Sequence, residues 1–165
     1  TCVTAVRRPT WSAVDAPRPD APAPGQVARP PIPKRVRWIE RYDMRPLAGP
    51  MPMQWDGNEA DSLTRLWVRD EPPRPLDFPS LTALADVFFP RVWRRRARMT
   101  PAGTVSMSVY FHAGADELAA TGEGYLLGQA RAQSFFNGFF DQSAELWNEA
   151  GHLLATTHQV VYFKE

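Results

Sequence analysis

The sequence predicts an α+β fold, an antiparallel sheet with one strongly apolar helix laid on its face. Residues 104–112, TVSMSVYFH, alternate Val105, Met107, Val109 and Phe111 with Ser106, Ser108, Tyr110 and His112, the two-residue period of a strand. Residues 81–88 instead space Leu81, Leu84, Ala85 and Phe88 at helical intervals. This segment has strand candidates on both sides of it, so its apolar face must be buried on sheet. A length of 165 residues, 44% of them hydrophobic, with six tryptophans, suits one packed domain with an extension.

In chain order, residues 1–8, TCVTAVRR, read as a short strand with no local partner. Residues 9–34 form a connector. Its seven prolines between 17 and 33 remove amide donors and fix φ, so it is extended and either disordered or laid across the domain surface. The domain proper is expected over 35–165. Val36, Trp38 and Tyr42 in RVRWIERYDM share one face of a strand, residues 46–60 read as a loop, and SLTRLWVRD (62–70) is a second strand. Asp77 is a helix N-cap, Pro79 sits in the first turn where a missing N–H is harmless, and Pro90 ends or kinks the helix. After the 104–112 strand, AGADELAATGEG reads as a loop. Residues 125–148 are one bent strand or two joined at Asn137-Gly138, a pair that favours positive φ. A turn at 149–151 leads to the closing strand, HLLATTHQVVYF.

Composition narrows the function classes. A net charge of +1 exerts no global pull on nucleic acid, which is disfavoured as a partner. One cysteine, Cys2, excludes an internal disulfide framework, and His112, His152 and His158 lack the spacing of a metal site. The single cysteine points to a cytoplasmic location, and no apolar run approaches the ~18–20 residues that span a bilayer, so membrane insertion is not expected. No G-x-S-x-G or Gly-rich phosphate loop is present.

Three stretches carry a more specific signal: LDFPSLTALADVFFP, TVSMSVYFHA and GFFDQSAELWNEAGHLLATTHQVVYF. Together they resemble the C-terminal half of the acyl-CoA thioesterase II family, over roughly 36–163 and most strongly after 76. The resemblance implies a hotdog fold, a sheet wrapped around one central helix, as the second half of a double hotdog. Residues 1–22 are similar to the last strand of an N-terminal half followed by its connector, as in a fragment, a processed product or a split gene. The implied ligand is acyl-CoA, with coenzyme A part of the substrate and no other cofactor. The implied partner is a second hotdog half, from another copy or a separate N-terminal chain.

The family is associated with an Asp, a Ser or Thr, and a Gln that orient the attacking water. Gln159 matches the Gln, and it shares a strand face with Leu153, Ala155, Thr157, Val161 and Phe163. An amide on that face either holds the water or bonds a neighbouring backbone group. Aligned on Tyr110-Phe111-His112, the Asp position falls at Ser106, which has no carboxylate to serve as base. The hydroxyl position falls near Gln133 or Ser134, and Ser134 is the hydroxyl of the two. Asp141 either offers a carboxylate or belongs to a solvated face. Arg94, Arg95 and Arg98, in PRVWRRRARM, are candidates to dock the phosphates of coenzyme A or form a solvated charge run. The expected function is therefore hydrolysis of acyl-CoA with Gln159 orienting water. The alternative is a non-catalytic acyl-binding or structural hotdog. A carboxylate beside Gln159 separates the two.

Overall fold

Asp77 begins the helix around which the sheet curves: its side chain accepts the Ser80 N–H at 2.7 Å, and Pro79 follows in the first turn. Such a cap contributes about 1 kcal/mol. The computed structural model describes residues 1–31 and 37–164. In it α1 spans Phe78–Leu84 and buries Leu81 and Leu84 almost completely. Each such leucine contributes roughly 2 kcal/mol of apolar burial. Ala85, Val87 and Phe88 stay in the same core after the helix has ended.

Seven strands surround it: β1 (Tyr42–Ala48), β2 (Thr64–Asp70), β3 (Ala102–Phe111), β4 (Leu126–Arg131), β5 (Phe135–Phe136), β6 (Phe139–Asn148) and β7 (Leu153–Phe163). The main sheet runs β1-β2-β4-β6-β7-β3, and the short β5 folds back on β6. Leu66, Val68, Leu126, Ala130, Ala144, Leu146, Leu154 and Ala155 meet α1 from the sheet. This is the expected α+β hotdog arrangement. The β5–β6 turn is Asn137-Gly138, both at positive φ (52° and 76°), as the dipeptide predicts.

Several local expectations give way. Residues 1–8 form no strand in the described chain; they touch β3 through a side chain instead, Arg7 donating to the carbonyls of Phe111 and His112. Arg37–Arg41 is a 3₁₀ turn, so Trp38 reaches Tyr42 edge-on rather than along a strand face, and Val36 lies outside the described residues. The strand β1 runs on through Pro46, which an edge strand tolerates. The segment read as a loop after β3 contains α3 (Ala115–Thr121), started where Glu117 accepts the Gly114 N–H at 2.7 Å. Finally, α1 stops at Leu84, before Pro90, and Pro90 instead precedes a separate helix, α2 (Arg91–Arg96).

The Pro-rich segment lies across the outer face of the sheet. The indole N–H groups of Trp67 and Trp147 donate to the carbonyls of Pro22 (2.9 Å) and Ala16 (3.3 Å). Ala21 and Val27 pack on Trp67, Tyr125 and Leu127. An ionic clasp holds the segment from the side. Arg45 donates to Pro24 O at 2.7 Å and to Asp43 at 3.0 Å, while Arg29 donates to Glu71 at 3.1 Å and lies 3.6 Å from Asp43. Burial opposes ionisation of Asp43, but hydrogen bonds from Arg45 and Tyr125 and the charges of Arg45 and Arg29 outweigh it and hold the carboxyl below its ordinary range. No helix among the described residues is long and apolar enough to cross a membrane.

A depressed carboxyl stabilises the fold fully above its unfolded pKa, and that contribution is lost as pH falls through the folded value. Thermal melts from neutral to acid pH should therefore show Asp43→Asn less stable than the native protein at neutral pH and less sensitive to acid. An unchanged acid slope in the variant would assign that slope to other groups.

Candidate active site

On β7 the inner-facing residues are Ala155, Thr157, Gln159, Val161 and Phe163, all buried, and Gln159 is 3% exposed. A buried primary amide must place both its ends. The oxygen of Gln159 accepts the hydroxyl of Thr104 at 3.1 Å, and its Nε2 donates to Asp86 Oδ1 at 2.8 Å. The amide is thereby fixed in one orientation, carbonyl toward the hydroxyl and N–H toward the carboxylate. Asp86 and Thr104 themselves are exposed.

Two local devices bring these side chains together. Asp86 sits in the turn that closes α1, its N–H bonded to Ala83 O at 3.1 Å, between the buried Ala85 and Val87. Its backbone is thus fixed while its carboxylate faces the sheet. Thr104 reaches the inner face through a β-bulge. Thr104 pairs with Val161 but Ser106 pairs with Val160, leaving Val105 as the extra residue. Strict alternation would turn Val105 inward and Thr104 outward; with the bulge, Val105 is 61% exposed and Thr104 joins the row of Met107, Val109 and Phe111.

The three groups line a cleft of about 520 Å³ together with Trp38, Tyr42, Phe88 and Gln142. Burial, then the charges of Asp70 and Asp86, raise the pKa of Tyr42 and keep its phenol neutral. Trp38, Tyr42 and Val87 also line a second pocket of about 280 Å³, whose other walls include Met44, Met51, Met53, Leu66 and Phe89. A cleft with the polar group on its wall thus adjoins an apolar pocket. Among the described residues no group of His, Cys, Asp and Glu is arranged to hold a metal ion.

Of the residues singled out in the sequence, Gln159 alone lies in this cleft. Ser106 is exposed on the outer face, paired with Val160, because alternation from the inner-facing Met107 places it there. Ser134 donates its hydroxyl to Asp141 at 3.0 Å, and Asp141 also accepts the N–H groups of Gln133 and Ser134. That carboxylate is held by a turn on the outer side of β6, away from Gln159. The arginines Arg94, Arg95 and Arg98 do not line this cleft either. Arg94 lies 3.7 Å from Asp61 and Arg95 2.6 Å from Glu59, while Arg98 falls beyond the end of α2. Arg91 is buried, donates to the carbonyls of Phe89 and Ser62, and is pushed down to about 9 by burial and then by the charge of Arg94. Among the described residues, the cation that lines the cleft is Arg41.

Two site residues escaped the sequence reading. Asp86 did leave a signal: it is a lone acid in the apolar run LTALADVFFP, at a helix C-terminus where a negative charge is unfavourable. Thr104 left none, since alternation assigns it to the wrong face.

An antiparallel sheet curved over a central helix, with this amide-centred group on its inner face, defines a hotdog domain of the thioesterase superfamily. The chain belongs to the acyl-CoA thioesterase C-terminal domain family, whose model matches residues 13–163. It is similar to a conserved protein of unknown function with a hot dog fold from Alicyclobacillus acidocaldarius, at 43% identity and TM-score 0.88, over 96% of this chain and 59% of that one. The fold is also that of a tesB protein from Mycobacterium avium subspecies paratuberculosis, at 19% identity and TM-score 0.69, over 93% and 56% of the two chains. An acyl-CoA thioesterase II from Mycobacterium marinum shares it at 18% identity and TM-score 0.62, over 95% and 59%. The chain thus spans less than two thirds of the length of these structures. No curated protein matches it by sequence.

Phe88 keeps its place in the cleft wall only because residue 128 has no side chain: a Cβ on Gly128 would lie 2.8 Å from Phe88 Cζ. Gly128→Ala should therefore lower stability by about 1–3 kcal/mol in denaturant titrations, as overpacking of a dense core does. Native-like stability would mean that the ring has room to withdraw.

Proposed function

We propose that this domain hydrolyses acyl-CoA thioesters, with Asp86, Gln159 and Thr104 positioning the attacking water and Asp86 as its general base. One observation carries the reading: the hydrogen-bonded chain Thr104–Gln159–Asp86, at 3.1 and 2.8 Å, opening into a cleft. A water beside this group gives its proton to Asp86 while its oxygen attacks the thioester carbonyl carbon. Gln159 holds the carboxylate by one N–H and retains a second N–H for the water. The tetrahedral intermediate then expels the coenzyme A thiolate, which recovers the proton from Asp86.

The adjoining apolar pocket suits an acyl chain, since it continues from the cleft past Trp38, Tyr42 and Val87. Arg41, at the cleft, is better placed for a phosphate of coenzyme A than Arg94 and Arg95, which are already near acids. The non-catalytic alternative drew its support from a missing carboxylate, and Asp86 supplies one. A second hotdog half, from another copy or a separate chain, is the proposed partner. The ladder ends at β3, which pairs only with β7 among the described residues and leaves its other edge open beside Thr104.

The test is release of free thiol from short, medium and long saturated acyl-CoA. Asp86→Asn and Gln159→Ala should each lower kcat by about 100-fold or more while the protein stays folded, the effect of removing a general base or its positioning group. A native protein that binds acyl-CoA without releasing thiol would instead be an acyl-binding domain.

A further inference from the structure

A second glutamine stands directly across the ladder from Gln159. Gln142 on β6 is its register partner, lies on the same inner face and is 2% exposed. It lines the same cleft. Side chains opposite each other in an antiparallel pair have Cβ atoms about 5 Å apart, so the two amides occupy one patch of wall. Their surroundings differ. Gln159 is bonded at both ends, whereas the amide of Gln142 has no hydrogen-bond partner among the described residues. The next inner-facing pair along the ladder, Ala144 and Thr157, offers it no bond: the Thr157 hydroxyl is buried without a partner of its own.

The Gln142 amide opens onto the cleft, so its donors are not spent within the chain and are available to a molecule held there. On the thioesterase reading above, on which this inference rests, the missing partner has a definite chemistry. Attack on the thioester moves the carbonyl π pair onto oxygen, and that oxyanion needs a fixed donor in a water-poor site. Asp86 is acceptor-only when ionised, the Thr104 proton is given to Gln159, and one N–H of Gln159 is given to Asp86. Gln142 brings two uncommitted N–H donors to the same wall.

We infer that Gln142 is a further catalytic residue that donates an N–H to the thioester carbonyl oxygen and stabilises the oxyanion. The water oxygen bonds to the carbonyl carbon and its proton passes to Asp86. The carbonyl pair becomes the oxyanion held by Gln142. Its collapse reforms the carbonyl, breaks the carbon–sulfur bond and releases the thiolate, which takes the proton back from Asp86.

Gln142→Met keeps the length and approximate volume of the side chain and removes both donors. With the acyl-CoA that the native protein hydrolyses fastest, kcat should fall about 100-fold with KM little changed, the loss typical of one oxyanion donor. The melting temperature should stay close to the native value, because the change conserves volume and removes no hydrogen bond within the chain. Gln142→Glu, an acceptor of the same length, should be at least as slow. Native kcat in Gln142→Met overturns the inference. So does a lower melting temperature with unchanged kcat, which marks a packing residue, or a raised KM alone, which marks a ground-state contact. A native protein that releases no thiol overturns the thioesterase reading itself and this inference with it, an outcome distinct from an active native protein with an indifferent variant.

Discussion

The site depends on where α1 stops. The helix lasts only from Phe78 to Leu84, yet the chain beyond it stays in the core: Ala85, Val87, Phe88 and Phe89 are all buried, and Pro90 disfavours helical geometry at the residue before it. Four buried neighbours in five positions leave Asp86 as the one residue of 85–89 that faces outward. Because the helix is laid on the inner face of the sheet, outward at this point means toward β7 and the rim of β3. A longer helix would rotate residue 86 by about 100° per residue and carry the carboxylate away from Gln159.

The sheet meets this carboxylate with a polar group on a face that is otherwise apolar. Burial of Gln159 is tolerated because both ends of its amide are bonded, one to the helix end and one to the edge strand. The amide thus ties together three elements, α1, β3 and β7. The bulge at Val105 makes the third of these ties possible, and it lies on the edge of the sheet, where an irregular ladder disturbs a single neighbour.

The two faces of the sheet divide the work. The inner face carries the core and the cleft. The outer face carries charge and the Pro-rich segment, held by two indole N–H groups and by the arginines around Asp43. Proline suits such a strap: it needs few hydrogen bonds of its own and lends its carbonyls to the side chains beneath.

The sequence by itself determined the class of fold, the capped helix at Asp77, the Asn137-Gly138 turn and the buried face of β7 with Gln159 on it. Each is local: a cap, a turn or an alternation is decided by residues a few positions apart, and the resemblance of the last stretch fixed the rest of the family assignment. Ser134 was a candidate from the family's hydroxyl position and Asp141 as a carboxylate beside the closing strand, but parity sends Asp141 to the outer face, where it binds Ser134. Only the tertiary structure brought Asp86 and Thr104 to Gln159, across 73 and 55 positions of chain. The first needs the helix to end and dock in one particular rotation. The second needs a bulge that reverses the parity of a strand, and a bulge is set by how two strands are forced to pair rather than by either strand alone.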